Sequence, residues 1–209
     1  MSGIAQPDGD CAVIWRICRP SLRHRKGSAE ITGNNVLFTS DALTRVPFSP
    51  DAKLGEDFRL AKVMIKAGLE LRTLDDLTVE HRESKTYGKA VSWMWESGVD
   101  ATSLLFEFRS VRLPDLAWLA WLLGILLAVV ASAVGVVSFW LSFCFAAALT
   151  LIVDVLFINS RFTPRSRPLR FLAALVISPP MMLAYLLGRT TGVVERPFLL
   201  HNVRKRQIL

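Results

Sequence analysis

Cysteine is scarce in this chain, and the three that occur, Cys11, Cys18 and Cys144, have no metal-ligand spacing. Cys144 falls inside an apolar run, so neither a disulfide framework nor a thiolate metal centre is expected. Charge is missing altogether from Leu116 to Val153. As one helix that stretch would be about 57 Å long, against roughly 30 Å of bilayer hydrocarbon. It is therefore expected to fold back as two spans, with the break near Ser132 to Gly135. The amino terminus has no apolar run suited to a secretory signal, because Met1 to Asp10 is polar and Arg16 to Lys26 is strongly basic. Internal repeats and low-complexity tracts are also absent.

What is present is grease at one end. Hydrophobic residues make up 52% of the 209-residue chain, and their concentration beyond Leu113 indicates a smaller domain tied to membrane helices. A third apolar stretch, Phe171 to Gly188, contains Pro179 and Pro180, which remove backbone donors and bend a helix. It reads as a kinked span, with a re-entrant or interfacial helix as the alternative.

The net charge of +7 would suit nucleic acid if it were spread over a folded domain, but Met1 to Leu113 holds 16 basic and 15 acidic side chains. The excess lies on Arg161, Arg165, Arg167, Arg170, Arg189, Arg196, Arg204, Lys205 and Arg206, flanking apolar segments. Cations there face anionic headgroups and set topology, so membrane lipid is the expected partner and no nucleic acid is. The Arg161 to Arg170 loop is expected to be cytoplasmic, in the plasma membrane, with the amino-terminal half on the same side. Three full crossings would put Arg204 to Arg206 outside; a re-entrant third segment would keep them inside. The side of the carboxyl terminus stays open.

Four regions follow from these patterns: a basic segment over 1–28, a small domain over 29–85, amphipathic juxtamembrane helices over 86–113, and a transmembrane region with a basic tail over 114–209. In the small domain, Ile31, Val36, Leu37 and Phe38 read as a buried strand interrupted by Gly33, Asn34 and Asn35. A short helix is expected over Ser40 to Arg45 and a longer one over Glu56 to Ala67, closed by Gly68. Leu69 to Leu71 and Leu77 to His81 read as strands. Thr86 to Arg112, with Trp93 and Trp95, is a mostly helical lead-in resting on the bilayer.

Glu56 and Asp57 occupy a first helical turn, where capping by acids is common. The functional reading makes Asp57 a general base within reach of an acceptor hydroxyl. His81 ends an apolar strand; a metal role there needs carboxylate partners. Gly33, Asn34 and Asn35 interrupt a strand as backbone does where it approaches a ligand, although a bulge has the same signature. Asp154 lies in the second span, close enough to Asn159 and Arg161 to reach the interface.

Taken in order, ITGNNVLF (Ile31 to Phe38), Ser40 to Val46, GEDFRL (Gly55 to Leu60) with Gly68, and TVEH (Thr78 to His81), followed by a Trp-containing helix and apolar spans, resemble the later part of a membrane-bound family 2 glycosyltransferase. The resemblance covers the chain from about Ala29 onward. It implies a partial α/β domain of GT-A-like type followed by an all-α transmembrane region of two to three helices. It also implies inverting transfer of a sugar from a nucleotide-sugar donor to a lipid-linked or glycan acceptor, with Asp57 as base and Glu56 beside it. His81 would help hold a divalent metal, Mg or Mn, and Gly33, Asn34 and Asn35 would line the substrate cleft.

Two departures qualify what the resemblance implies. The Q-x-x-R-W motif of processive members is reduced to K-A-V-S-W at Lys89 to Trp93, which disfavours polymer synthesis. The nucleotide-binding sheet that precedes this region in the family, ending in Asp-x-Asp, has no counterpart ahead of Ile31. Asp8, Gly9 and Asp10 spell the motif, but they lie too close to Gly33, Asn34 and Asn35 and are expected to follow no strand, so the match reads as chance. The resemblance therefore implies either a truncated product or one half of a split enzyme whose partner chain supplies the nucleotide half. The competing reading is a non-catalytic membrane scaffold or partner with a degenerate fold. A small transporter or channel component is weaker, since the spans offer Asp154 as their one intramembrane acid.

Overall fold

A computed structural model describes residues 2–7, 13–14, 17, 36–46, 56–81, 86–109, 111–161 and 168–206. Two compact units divide the chain, Met1–Tyr87 and Gly88–Leu209.

The first unit contains β1 (Ser2–Pro7), α1 (Ser40–Arg45), α2 (Glu56–Lys66) and β2 (Thr73–His81). Helix α1 starts where the Thr39 side chain accepts from the Ala42 amide at 3.2 Å, so one of the four free donors of a helix start is satisfied. Helix α2 is amphipathic. Its Leu60, Ala61 and Met64 are buried together with Val46, and Val36, Phe38, Ala42, Leu69 and Leu71 pack around them. Gly68 ends the helix with φ +76°, a backbone that lacks a Cβ penalty in glycine alone.

Strands β1 and β2 pair in parallel, with Ile4 opposite Thr78 and Pro7 opposite His81. This pair is the whole of the sheet among the described residues. It overturns the expected α/β domain of GT-A-like type, because the described chain is dominated by helix and two strands do not make the multi-stranded layer such a domain needs. Leu69 to Leu71 forms no strand; those residues pack beneath α2 instead. A strand does stand directly ahead of Asp8, contrary to the sequence reading. Gly33, Asn34 and Asn35 lie outside the described residues.

The second unit is all helical: α3 (Tyr87–Phe108, its first residue belonging to the other unit), α4 (Leu113–Ala133), α5 (Phe139–Arg161) and α6 (Pro168–Arg206). Three of them are long and apolar enough to cross a membrane, over Leu113–Ala133, Phe139–Asn159 and Pro168–Val194. Helices α4 and α5 form an antiparallel hairpin that turns at Gly135, where φ is +74°. Its register is fixed by polar ties between otherwise apolar faces. Ser142 donates to the Ala128 carbonyl at 3.0 Å, and the Trp121 indole donates to Thr150 Oγ1 at 2.9 Å. Their outer faces are exposed leucine, valine and phenylalanine, as lipid requires.

Helix α6 continues through Pro179 and Pro180 without ending. Trp118 and Trp121 of α4 and Met182 and Leu186 of α6 form the apolar centre of the unit, flanked by Leu149, Val153 and Phe157 of α5.

Candidate functional site

In the first unit Glu56 and Asp57 share the opening turn of α2, both half-buried. The helix dipole favours their negative charge there. Leu60, Ala61 and Met64 lie three, four and seven residues beyond Asp57, so Asp57 starts the same stripe of α2 that is buried, with Glu56 at its edge. His81 is the last residue of β2, its backbone level with Pro7 of β1. The next residue after Pro7 in sequence is Asp8. Among the described residues no three of His, Cys, Asp and Glu come together as a metal-holding group.

The second unit holds a polar centre that sequence reasoning missed. Asp115, in the first turn of α4, and Arg189, in α6, form a fully buried ion pair through Arg189 Nη2 and Asp115 Oδ1. Asp115 also accepts from the Arg112 amide at 2.6 Å and from Arg112 Nε at 3.2 Å, so its carboxylate reaches back over the start of α4 and satisfies a free donor there. Arg189 Nη1 donates to the Tyr185 hydroxyl at 3.2 Å, and its guanidinium lies 5.1 Å from the Trp118 ring centroid. Two guanidinium groups thus share one carboxylate, and the aromatic faces take part of the remaining positive charge. The Arg189 Nε donor is buried without a partner.

Helix α3 is bound to the same place. Thr102 Oγ1 donates to the Arg189 carbonyl at 2.9 Å, and Arg112 Nη2 donates to the Ala101 carbonyl at 3.4 Å. Close approach of the two helices depends on glycine. A Cβ at Gly98 would strike the Tyr185 carbonyl, one at Gly188 the Trp95 carbonyl, and one at Gly192 the Val99 carbonyl. Gly188 and Gly192 are four residues apart, the small-residue spacing by which membrane helices pack backbone to backbone. That spacing was the available signal. Asp115 and Arg189 escaped notice because each reads in isolation as a flanking charge.

Asp154 is 1% exposed, enclosed by protein. Its Oδ2 accepts from Ser178 Oγ at 2.7 Å, and its Oδ1 is buried with no partner.

No protein-family model, curated protein or solved structure matches this chain.

Proposed function

We propose that the chain is the membrane-anchored, acceptor-side part of an inverting glycosyltransferase that moves a sugar from a nucleotide-sugar donor to a lipid-linked or glycan acceptor. The observation that carries this reading is the parallel register of β1 and β2. It sets the backbone of His81 level with that of Pro7, and Asp8, Gly9 and Asp10 are the next three residues in sequence.

Two carboxylates and an imidazole are a donor set that suits Mn or Mg. Asp8, Asp10 and His81 would hold the ion, and a bound divalent cation neutralises the charge that develops on a leaving diphosphate. Asp57, half-buried at a helix start, would take the proton of the acceptor hydroxyl, with Glu56 beside it keeping the turn negative. The membrane helices would tether the unit to the bilayer, where a lipid-linked acceptor is concentrated. The cytoplasmic face of the plasma membrane is the location proposed for it, from the basic Arg161 to Arg170 loop. Further polypeptide, of this protein or of a partner chain, would supply the rest of the nucleotide site.

The test is Mn-dependent nucleotide-sugar binding to purified full-length protein, alone and with candidate partner chains. Binding that is lost in Asp10→Asn and His81→Ala supports the proposal. Absence of binding under every condition favours the second reading, a non-catalytic membrane partner. That reading draws on the buried Asp115 and Arg189 tie, which fastens helices and needs no substrate.

A further inference from the structure

We infer that the chain crosses the bilayer twice, and that α6 lies obliquely along the hairpin within one leaflet instead of making a third crossing. This topology does not depend on the proposed glycosyl transfer.

The α4 and α5 hairpin supplies a ruler. Ser142 meets Ala128 near the turn, and Trp121 meets Thr150 further down, so the antiparallel register sets Asp154 level with the first turn of α4, which contains Asp115. Both acids thus lie near the same membrane face, the one opposite Gly135. Helix α6 touches both of them. Ser178 bonds Asp154, and eleven residues later Arg189 bonds Asp115, while Thr190 accepts from the Trp118 indole at 3.3 Å.

Eleven helical residues rise about 16 Å. Had α6 run alongside α4 as a third span, Arg189 would lie that far toward Ala133, beyond the reach of any side chain to Asp115. Its two anchors at one depth require that the rise be spent sideways, from α5 to α4. The chain enters α6 from the face where α5 ends and is back at that face by Arg189.

Two further observations agree. Helix α3 precedes α4 on that same face, and its Gly98 packs against Tyr185 and Arg189 of α6. Leu169, Leu172, Val176, Leu183 and Leu187 are exposed and recur at helical spacing along α6, a single apolar stripe turned away from the hairpin. The occupant of that stripe is the acyl layer of one leaflet, reached by a helix with Arg170 at one end and Arg196 at the other. The arrangement keeps Arg161, Arg165, Arg167, Arg204, Lys205 and Arg206 on one side, as the positive-inside bias favours.

The test uses the full chain in sealed vesicles with Cys11, Cys18 and Cys144 replaced by serine. Single cysteines at Ser84, Gly135 and His201 are probed with an impermeant maleimide from each side. Ser84→Cys and His201→Cys labelled from one side, with Gly135→Cys labelled from the other, is the expected result. Labelling of His201→Cys from the side that labels Gly135→Cys overturns the inference. As a second arm, Asp115→Cys with Arg189→Cys should be bridged in the membrane by a short bis-methanethiosulfonate reagent, whose spacer matches residues that meet through long side chains. Failure of that pair to be bridged, while a hairpin control pair at Trp121 and Thr150 is bridged by the same reagent, would equally overturn it.

Discussion

Arg189 and Asp115 are fully buried and paired with each other, tying the late part of α6 to the first turn of α4. A charge left alone in such a place costs more than the pair contributes. Arg189→Ala or Asp115→Ala should each destabilise the second unit by about 3 kcal/mol or more. The double substitution Asp115→Leu with Arg189→Leu should recover much of that loss. Chemical unfolding in detergent, followed by tryptophan fluorescence, would show whether the losses are non-additive in this direction.

The contact between α3 and α6 depends on missing side chains. Gly98→Leu and Gly188→Leu drive atoms into backbone carbonyls that cannot move aside cheaply, so each should cost roughly 1–3 kcal/mol or more. Gly135 has open space around it and a left-handed backbone that asparagine tolerates. Gly135→Asn should therefore leave folding nearly unchanged, which thermal denaturation of the three variants side by side would show.

Ser178 supplies the bond that Asp154 Oδ2 accepts. Ser178→Ala removes it and should cost roughly 0.5–2 kcal/mol, the range of hydrogen bonds between membrane helices. Asp154→Leu removes the buried acid with its unpartnered Oδ1, so its cost should be smaller than that of Ser178→Ala. Equal or reversed losses in an unfolding series would contradict this ordering.

Outside the membrane helices, Arg72 holds the Glu70 carboxyl below its ordinary value, first by a hydrogen bond and then by its charge. A depressed folded-state value means the interaction is present above the unfolded value and is lost as pH falls through the folded one. Both side chains are exposed, so the stability effect is small. Carboxyl titration by NMR should place Glu70 below a free glutamate, and Arg72→Ala should move it upward.

Local chemistry made part of this fold readable. The Ser40 to Arg45 helix, the start at Glu56 with its acids, the Gly68 stop and the turn near Gly135 each depend on a few neighbouring residues, and the structure has each of them. Strand β1 was not readable. It is a short segment containing Gly3 and Pro7, and it is fixed by pairing with residues more than sixty positions downstream. The uninterrupted run of α6 through Pro179 and Pro180 was hidden for a related reason, because tertiary packing in lipid can support a helix that proline weakens. Of the candidate site, the Glu56 and Asp57 turn was legible, whereas the Asp115 and Arg189 pair joins two charges that only the tertiary fold brings together.

The account rests most heavily on Asp57 as the proton acceptor. The direct measurement is sugar incorporation into lipid or glycan from a labelled nucleotide-sugar donor, using membranes that contain the full chain and its nucleotide-site partner. The account predicts Mn- or Mg-dependent incorporation that falls roughly 10²- to 10⁴-fold in Asp57→Asn, with folding intact. Incorporation unchanged by Asp57→Asn would contradict it.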